Sequence, residues 1–280
     1  MTHAPYTSLC PSGEIDRAVF SEISAGRGTK NGGLIADFSH VDPSEFTVGD
    51  LGEWFAWMRH IGIDFGRQQI EIAPFVQAFN GGVIIDEHCR TTVPGLFACG
   101  EVAAGPHGAD RLGGNMMIGN MVFGTRAGLA ASQFALSGQR DVTSYAFDQV
   151  EGDVLKVSPV IGLKQLKDVT PGVTGVNVHD QILVEELKEK MSEHCSVVRT
   201  SEGLSEAIAY VESLQGTAGR YANRLLVSQV ILEAALLRQE SRGGHYRPEY
   251  PVCNEQFGAP ISARLDQESE VIVYSRAYLR

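Results

Sequence analysis

Two carboxylates, an imidazole and a guanidinium, those of Glu101, Asp110, His107 and Arg111, fall within one short stretch, residues 91–128, TTVPGLFACGEVAAGPHGADRLGGNMMIGNMVFGTRAG. A carboxylate such as Glu101 can accept hydrogen bonds from sugar hydroxyls or amides, and a planar guanidinium such as Arg111 can clamp a carboxylate through two parallel bonds. His107 could orient Arg111 or a substrate oxygen, or make a loop hydrogen bond of purely structural value. Asp110 adds a negative charge beside Arg111 and could partly neutralise it.

The elements around these residues decide what they can reach. The Pro-Gly turn at Pro94 and Gly95 and the apolar run 96–99 read as a buried strand that stops at Gly100 and Glu101. A glycine-rich loop follows, and a helical pattern begins at about Asn115. A strand that enters such a loop and then a helix N-terminus permits close backbone approach and presents free N–H groups. That arrangement suits the polar, electron-rich edge of a ligand.

Upstream, residues 12–23 carry apolar positions Ile15, Val19 and Ile23 at helical spacing, and a turn-rich loop leads to a strand over 34–38. Residues 50–61 form an amphipathic helix through Leu51, Trp54, Phe55 and Met58, ended by Gly62, with Trp54 and Trp57 expected in packing. Residues 70–86 read as two strands around Asn80-Gly81-Gly82. His88, in the turn after them, is expected as an exposed loop histidine. Downstream, 138–178 is rich in Gly and Pro and reads as a linker with one short helix. Helical periodicity returns over 182–191, 204–214 and 221–240, enough for a small bundle.

Composition narrows the function classes. The chain has 280 residues, 43% of them hydrophobic, and a formal charge of −11, with no basic run. A phosphate-backbone partner is therefore not expected. Five scattered cysteines without a C-x-x-C spacing suggest neither a disulfide framework nor a zinc or iron–sulfur site. No leader pattern and no apolar run of about 20 residues appears, so the expected localisation is cytoplasmic, with membrane association only through a partner.

GLFACGE (95–101), HGADRLGGN (107–115) and VFGTRAG (122–128) resemble, in order, the second flavin-binding segment of the succinate dehydrogenase and fumarate reductase flavoprotein family, which includes L-aspartate oxidase. VVRTSEGLSEAI (197–208) and RQESRGGHYRPEYP (238–251) resemble segments of that family's helical C-terminal domain. The resemblance implies an α/β (α+β) fold: the end of a capping domain (1–69), the second FAD-binding segment (70–137), a linker (138–178) and a C-terminal helical domain (179–280). The family's N-terminal G-x-G-x-x-G turn, which holds the FAD pyrophosphate, has no counterpart in these residues. The expectation is thus a partial chain, with a second polypeptide supplying the Rossmann-like half or with truncation.

The resemblance also implies roles. FAD is the cofactor, contacted by Glu101, Gly100 and Gly114 and by the backbone of Asn115, Met116 and Met117 at the flavin pyrimidine edge. Arg111 stands at the position of the arginine that clamps a substrate carboxylate, and Gln77 where the family has a carboxylate-binding histidine, so its donor is neutral. No arginine occupies the family's proton-delivering position near Gly13; Arg17 comes about 6 Å of helix rise too late. The turn holding Arg242, His245 and Arg247 lies against the flavin domain in relatives, which implies docking more than catalysis. The implied activity is hydride transfer between flavin and a small carboxylate-containing substrate, and a further implied partner is an iron–sulfur electron-transfer subunit. An L-aspartate oxidase-like or divergent substrate, and a non-catalytic subunit that stabilises a flavoprotein partner, stay open beside it.

Overall fold

A computed structural model describes residues 12–47, 49–138, 153–160, 178–214, 221–266 and 270–276, a mixture of helices and antiparallel sheet. The chain divides into two compact units, 1–75 and 76–280.

In the first unit, α1 (Ser12–Glu22) runs into a π-helical turn, Ile23–Arg27, broken where Gly26 turns left-handed at φ +74°. Strand β1 (Leu34–Ala36) pairs antiparallel with β2 (Ile70–Ile72), Leu34 opposite Ile72. The Glu71 carboxylate accepts from the Thr29 hydroxyl and from Asn31 Nδ2 at 2.7 Å, which ties the turn before β1 to β2. Helix α2 (Gly49–His60) lies C-terminal to a 3-10 turn, Pro43–Thr47. Phe46, Phe55 and Phe65 meet edge to face with centroids 5.0–5.3 Å apart, and Trp54 joins them. Trp57 points away and is 55% exposed, so the expected aromatic packing holds for one tryptophan only.

Two strand expectations in the second unit are corrected. The half of 70–86 that follows Asn80 makes a single parallel bridge, Val83 with Ala103, and the run 96–99 makes one antiparallel bridge, Phe97 with Arg90. Leu96 is 51% exposed rather than buried. Each segment pairs with its neighbour over a few backbone bonds only, 83 with 102 and 104, and 89–91 with 96–98, too short a run to make a ladder. Helix α3 (Asn115–Ser137) begins where expected, between left-handed Gly114 and Gly138. Only Ala127 on it is buried, while Met117, Ile118, Met121, Val122, Leu129 and Leu136 are exposed.

The C-terminal helices α4 (Val178–His194), α5 (Ser201–Ser213) and α6 (Ala222–Leu237) follow the expected periodicity. Thr200 caps α5 by accepting the Gly203 N–H at 3.0 Å, and Leu204, Ile208 and Val211 on its inner stripe pack with Leu187, Leu225 and Leu232. Each such burial stabilises by roughly 1.5–3 kcal/mol.

Residues 179–280, expected as a helical domain, also contain two strands. Strands β3 (Val154–Pro159), β4 (Ile261–Asp266) and β5 (Val271–Arg276) form an antiparallel sheet in the order β3-β5-β4. Ile272 and Tyr274 are buried under Leu226, Val230, Ala234 and Leu237 of α6. The stretch read as a linker therefore contributes a strand; the short helix expected there lies outside the described residues. Among the described residues no helix is long and apolar enough to cross a membrane.

Candidate functional site

The site is built where two backbone segments meet without side chains between them. A Cβ at Gly82 would stand 2.2 Å from the Val102 carbonyl oxygen, so only glycine lets residues 81–83 lie this close to 101–104. Val83 N–H then donates to Val102 at 2.8 Å, and Ala104 N–H to Val83 at 2.9 Å. This contact carries Phe79 to the 3-10 turn Gly100–Val102, where the Phe79 N–H donates to Glu101 Oε1 at 2.8 Å. The Asn80 Oδ1 atom is buried and has no partner among the described residues.

Glu101, Gly100, His107, Asn120, Phe79 and Phe123 line a solvent-open cleft on this contact, together with Gly119 of α3. Gly119 leaves room for the His107 ring, which would sit 3.3 Å from any Cβ there. His107 makes no hydrogen bond among the described residues, so it faces the cleft rather than holding the loop. Neither a loop hydrogen bond nor a hydrogen bond to Arg111, the two protein contacts considered for it, is present among the described residues. The loop beyond is open: nothing lies within 4 Å of a Cβ built at Gly105, Gly108, Gly113 or Gly114.

At the head of α3, Asn115 N–H reaches Leu112 O at 3.2 Å and Met117 N–H reaches Gly114 O at 3.3 Å, while no side chain caps the helix. These long bonds leave the first-turn amides weakly engaged and facing an open loop. Arg111 has one internal bond, Nη1 to Leu112 O at 3.4 Å, and no ion pair with Asp110. Gln77 is exposed in a segment without regular secondary structure. Neither Gln77 nor Arg111 lines the cleft that Glu101 and His107 share. His88 is exposed, as expected of a loop histidine. The described residues contain no cluster of three metal-ligating side chains.

The cationic turn 238–247 lies against the loop that carries Ala109 and Asp110. Glu240 is fully buried; its carboxylate accepts from Arg238 (2.6 Å), from Arg242 Nε and Nη2 (2.9 and 3.0 Å) and from the Asn254 N–H (2.8 Å). Burial pushes its pKa up, but these donors outweigh burial and hold it below the usual carboxylate range. Arg247, also buried, donates to Ala235 O and Leu236 O at the end of α6 and to the Ser201 hydroxyl. The Gly244 N–H points to Ala109 O at 3.4 Å, inside the HGADR loop.

His245 has one possible tautomer. Arg199 Nη1, which can only donate, lies 2.8 Å from Nδ1, and Arg238 O, which can only accept, lies 3.1 Å from Nε2. The ring is therefore neutral with its proton on Nε2. Burial, and then the Arg199 charge, depress its pKa to about 4. The unfolded chain takes up this proton from about pH 6.5 downward and the folded chain only near pH 4, so this contribution is complete above pH 6.5 and is lost as pH falls towards 4. The loss amounts to at most ~3 kcal/mol. Urea unfolding at pH 7 and pH 4.5 should show a smaller drop for His245→Gln than for the parent chain.

Among the residues around the site, Gly82, Phe79 and Asn120 were not singled out by sequence. Gly82 had the only visible signal, as part of a turn.

Comparison with known proteins brings these features together. Residues 9–117 match the model of the FAD binding domain, and 214–271 match that of the fumarate reductase flavoprotein C-terminus. A CoM/CoB fumarate reductase chain of Methanothermobacter marburgensis is 31% identical over 96% of this chain and 49% of its own length. An L-aspartate oxidase of Rhodospirillum rubrum is 31% identical over 89% of this chain and 81% of its own. The Mycobacterium smegmatis Sdh1 structure in complex with UQ1 superposes with a TM-score of 0.71 at 27% identity, covering 100% of this chain and 49% of that one. The chain spans about half the length of most of the curated relatives it matches.

Proposed function

The chain belongs to the succinate dehydrogenase and fumarate reductase flavoprotein family, which includes L-aspartate oxidase, and on that premise we propose that it forms the substrate-side part of an FAD-dependent oxidoreductase. The observation that carries the proposal is the Glu101 carboxylate, held by the Phe79 N–H in a cleft walled by Phe79 and Phe123 and continued by an open glycine loop.

These residues fit part of such a cofactor. Glu101 retains acceptor capacity for hydroxyl or amide donors, and the weakly engaged amides of Asn115, Met116 and Met117, reached past Gly100 and Gly114, suit the electron-rich edge of a flavin ring. The 280 residues carry no pyrophosphate turn, and we assign that function to a nucleotide-binding part outside them, in a second chain or in a further segment of the same protein. The exposure of α3 supports a larger body around these residues, because a long helix that is apolar on nearly all sides is normally covered. Bound FAD would supply two-electron redox chemistry; the protein supplies orientation and electrostatics.

Arg111, which has no ion pair among the described residues, would hold a substrate carboxylate through its guanidinium, with Gln77 as a neutral donor to a second oxygen and His107 as a donor or acceptor within the cleft. Because Gln77 carries no charge, the substrate class is a small carboxylate bound through one strong cationic contact. The similarity to L-aspartate oxidases keeps an amino-acid substrate as the second enzymatic reading. Electron transfer to an iron–sulfur partner protein belongs to the same proposal.

The test is the visible spectrum of the chain purified alone and with a co-expressed neighbouring gene product. Flavin bands near ~450 nm in the complex are expected. Glu101→Ala should lower flavin occupancy by about ten- to a hundredfold, the worth of a hydrogen bond to a charged group, and Arg111→Ala should leave occupancy intact and abolish turnover. A colourless complex that still assembles would sink the enzymatic reading in favour of a scaffold role.

A further inference from the structure

We infer that Gly243 is a positioning residue for the Arg111 loop, so that the C-terminal turn 238–247 sets where the guanidinium stands. A Cβ at Gly243 would lie 2.4 Å from Ala109 O, 2.7 Å from Ala109 C and 2.8 Å from Asp110 Cβ. Real side chains do not approach this closely, so the HGADR loop rests directly on a bare backbone position. Gly243 also has φ +55°, which L-residues rarely adopt. The neighbouring Gly244 has nothing within 4 Å of a built Cβ. Two adjacent glycines thus differ in kind: one closes a turn, the other is the seat of a second loop.

The seat is rigid for physical reasons. Arg242 and His245 exchange backbone bonds at 2.8 and 3.0 Å across the two glycines. The Arg242 side chain is tied to buried Glu240, which also holds Arg238 and the Asn254 amide. The His245 ring is pinned on both nitrogens, by Arg199 and by the Arg238 carbonyl. A turn fixed at three points transmits its position to whatever lies on it. What lies on it is Ala109 and Asp110, directly before Arg111, whose own side chain makes a single long internal bond. Arg111 therefore owes its placement to residues more than a hundred positions later in the chain. The functional value of this device rests on the proposed carboxylate role of Arg111; the positioning itself does not.

Backbone hydrogen exchange of the 280-residue chain separates the two. Gly243→Ala should speed exchange across 107–112 by tenfold or more, with α5 and α6 unaffected, and Gly244→Ala should leave 107–112 unchanged. In the flavin-loaded complex, Gly243→Ala should raise the Kd for malonate, read from the flavin absorption shift, by about tenfold without lowering flavin content per chain. Where Gly243→Ala does not fold, Arg242→Ala loosens the same turn without adding volume and should also speed exchange in 107–112. Unchanged exchange in 107–112, or equal effects of the two glycine variants, would overturn the inference. A parent complex whose flavin ignores malonate would overturn the carboxylate reading of Arg111 alone.

Discussion

Glu240→Ala should destabilise the chain by about 3–5 kcal/mol, the cost of removing one partner from a buried ion cluster. The carboxylate satisfies three groups at once, the guanidinium of Arg238, that of Arg242 and the amide of Asn254, and it is wholly shielded from water. Truncation leaves two guanidiniums facing each other across a cavity with no counter-charge. Arg238 keeps bonds to the Phe257 and Ala259 carbonyls, so the damage should centre on Arg242 and the turn it holds. Equilibrium unfolding in urea is the measurement. A change below about 1 kcal/mol, the usual limit for a surface ion pair, would mean that water replaces the carboxylate and that the cluster is not closed in solution. Glu240→Gln keeps the shape and one acceptor oxygen, and should fall between the two.

Gly82→Ala is expected to abolish flavin binding in the complex while leaving the helical C-terminal part folded. The added methyl carbon would sit 2.2 Å from Val102 O, an overlap that costs roughly 2–3 kcal/mol if the backbone holds and opens the segment if it yields. Opening breaks the Val83 and Ala104 bonds and withdraws the Phe79 amide from Glu101. Gly81 supplies the control, because nothing lies within 4 Å of a Cβ there. Amide exchange at Val83 and Ala104, together with flavin absorbance, should separate Gly82→Ala from Gly81→Ala. Identical behaviour of the two variants would remove Gly82 from the account of the site.

Local order and family were legible in the sequence. Helices α1 to α6 announce themselves because apolar residues recur every three or four positions, a spacing that in α5 becomes the buried stripe of Leu204, Ile208 and Val211. The family was legible because glycines and charged residues at fixed spacing, as in HGADRLGGN and RQESRGGHYR, are rare in combination. The sheet was not. Strand β5 is paired on one side by β4, five residues away, and on the other by β3, more than a hundred residues earlier. Period-two alternation in a six-residue strand gives little signal, and nothing local says which distant segment completes the ladder.

By itself, the sequence determined the residue types that can meet a flavin edge and a carboxylate, because side-chain chemistry is a property of identity and not of position. Only the tertiary structure decided which of them meet. It placed Glu101 and His107 on one cleft and left Gln77 and Arg111 outside its lining. It also set two glycines, Gly82 and Gly243, where backbones press together. Such contacts depend on the absence of a Cβ at one position and a carbonyl brought in from another part of the chain. No pattern along the chain encodes that coincidence; it exists only once the segments have packed.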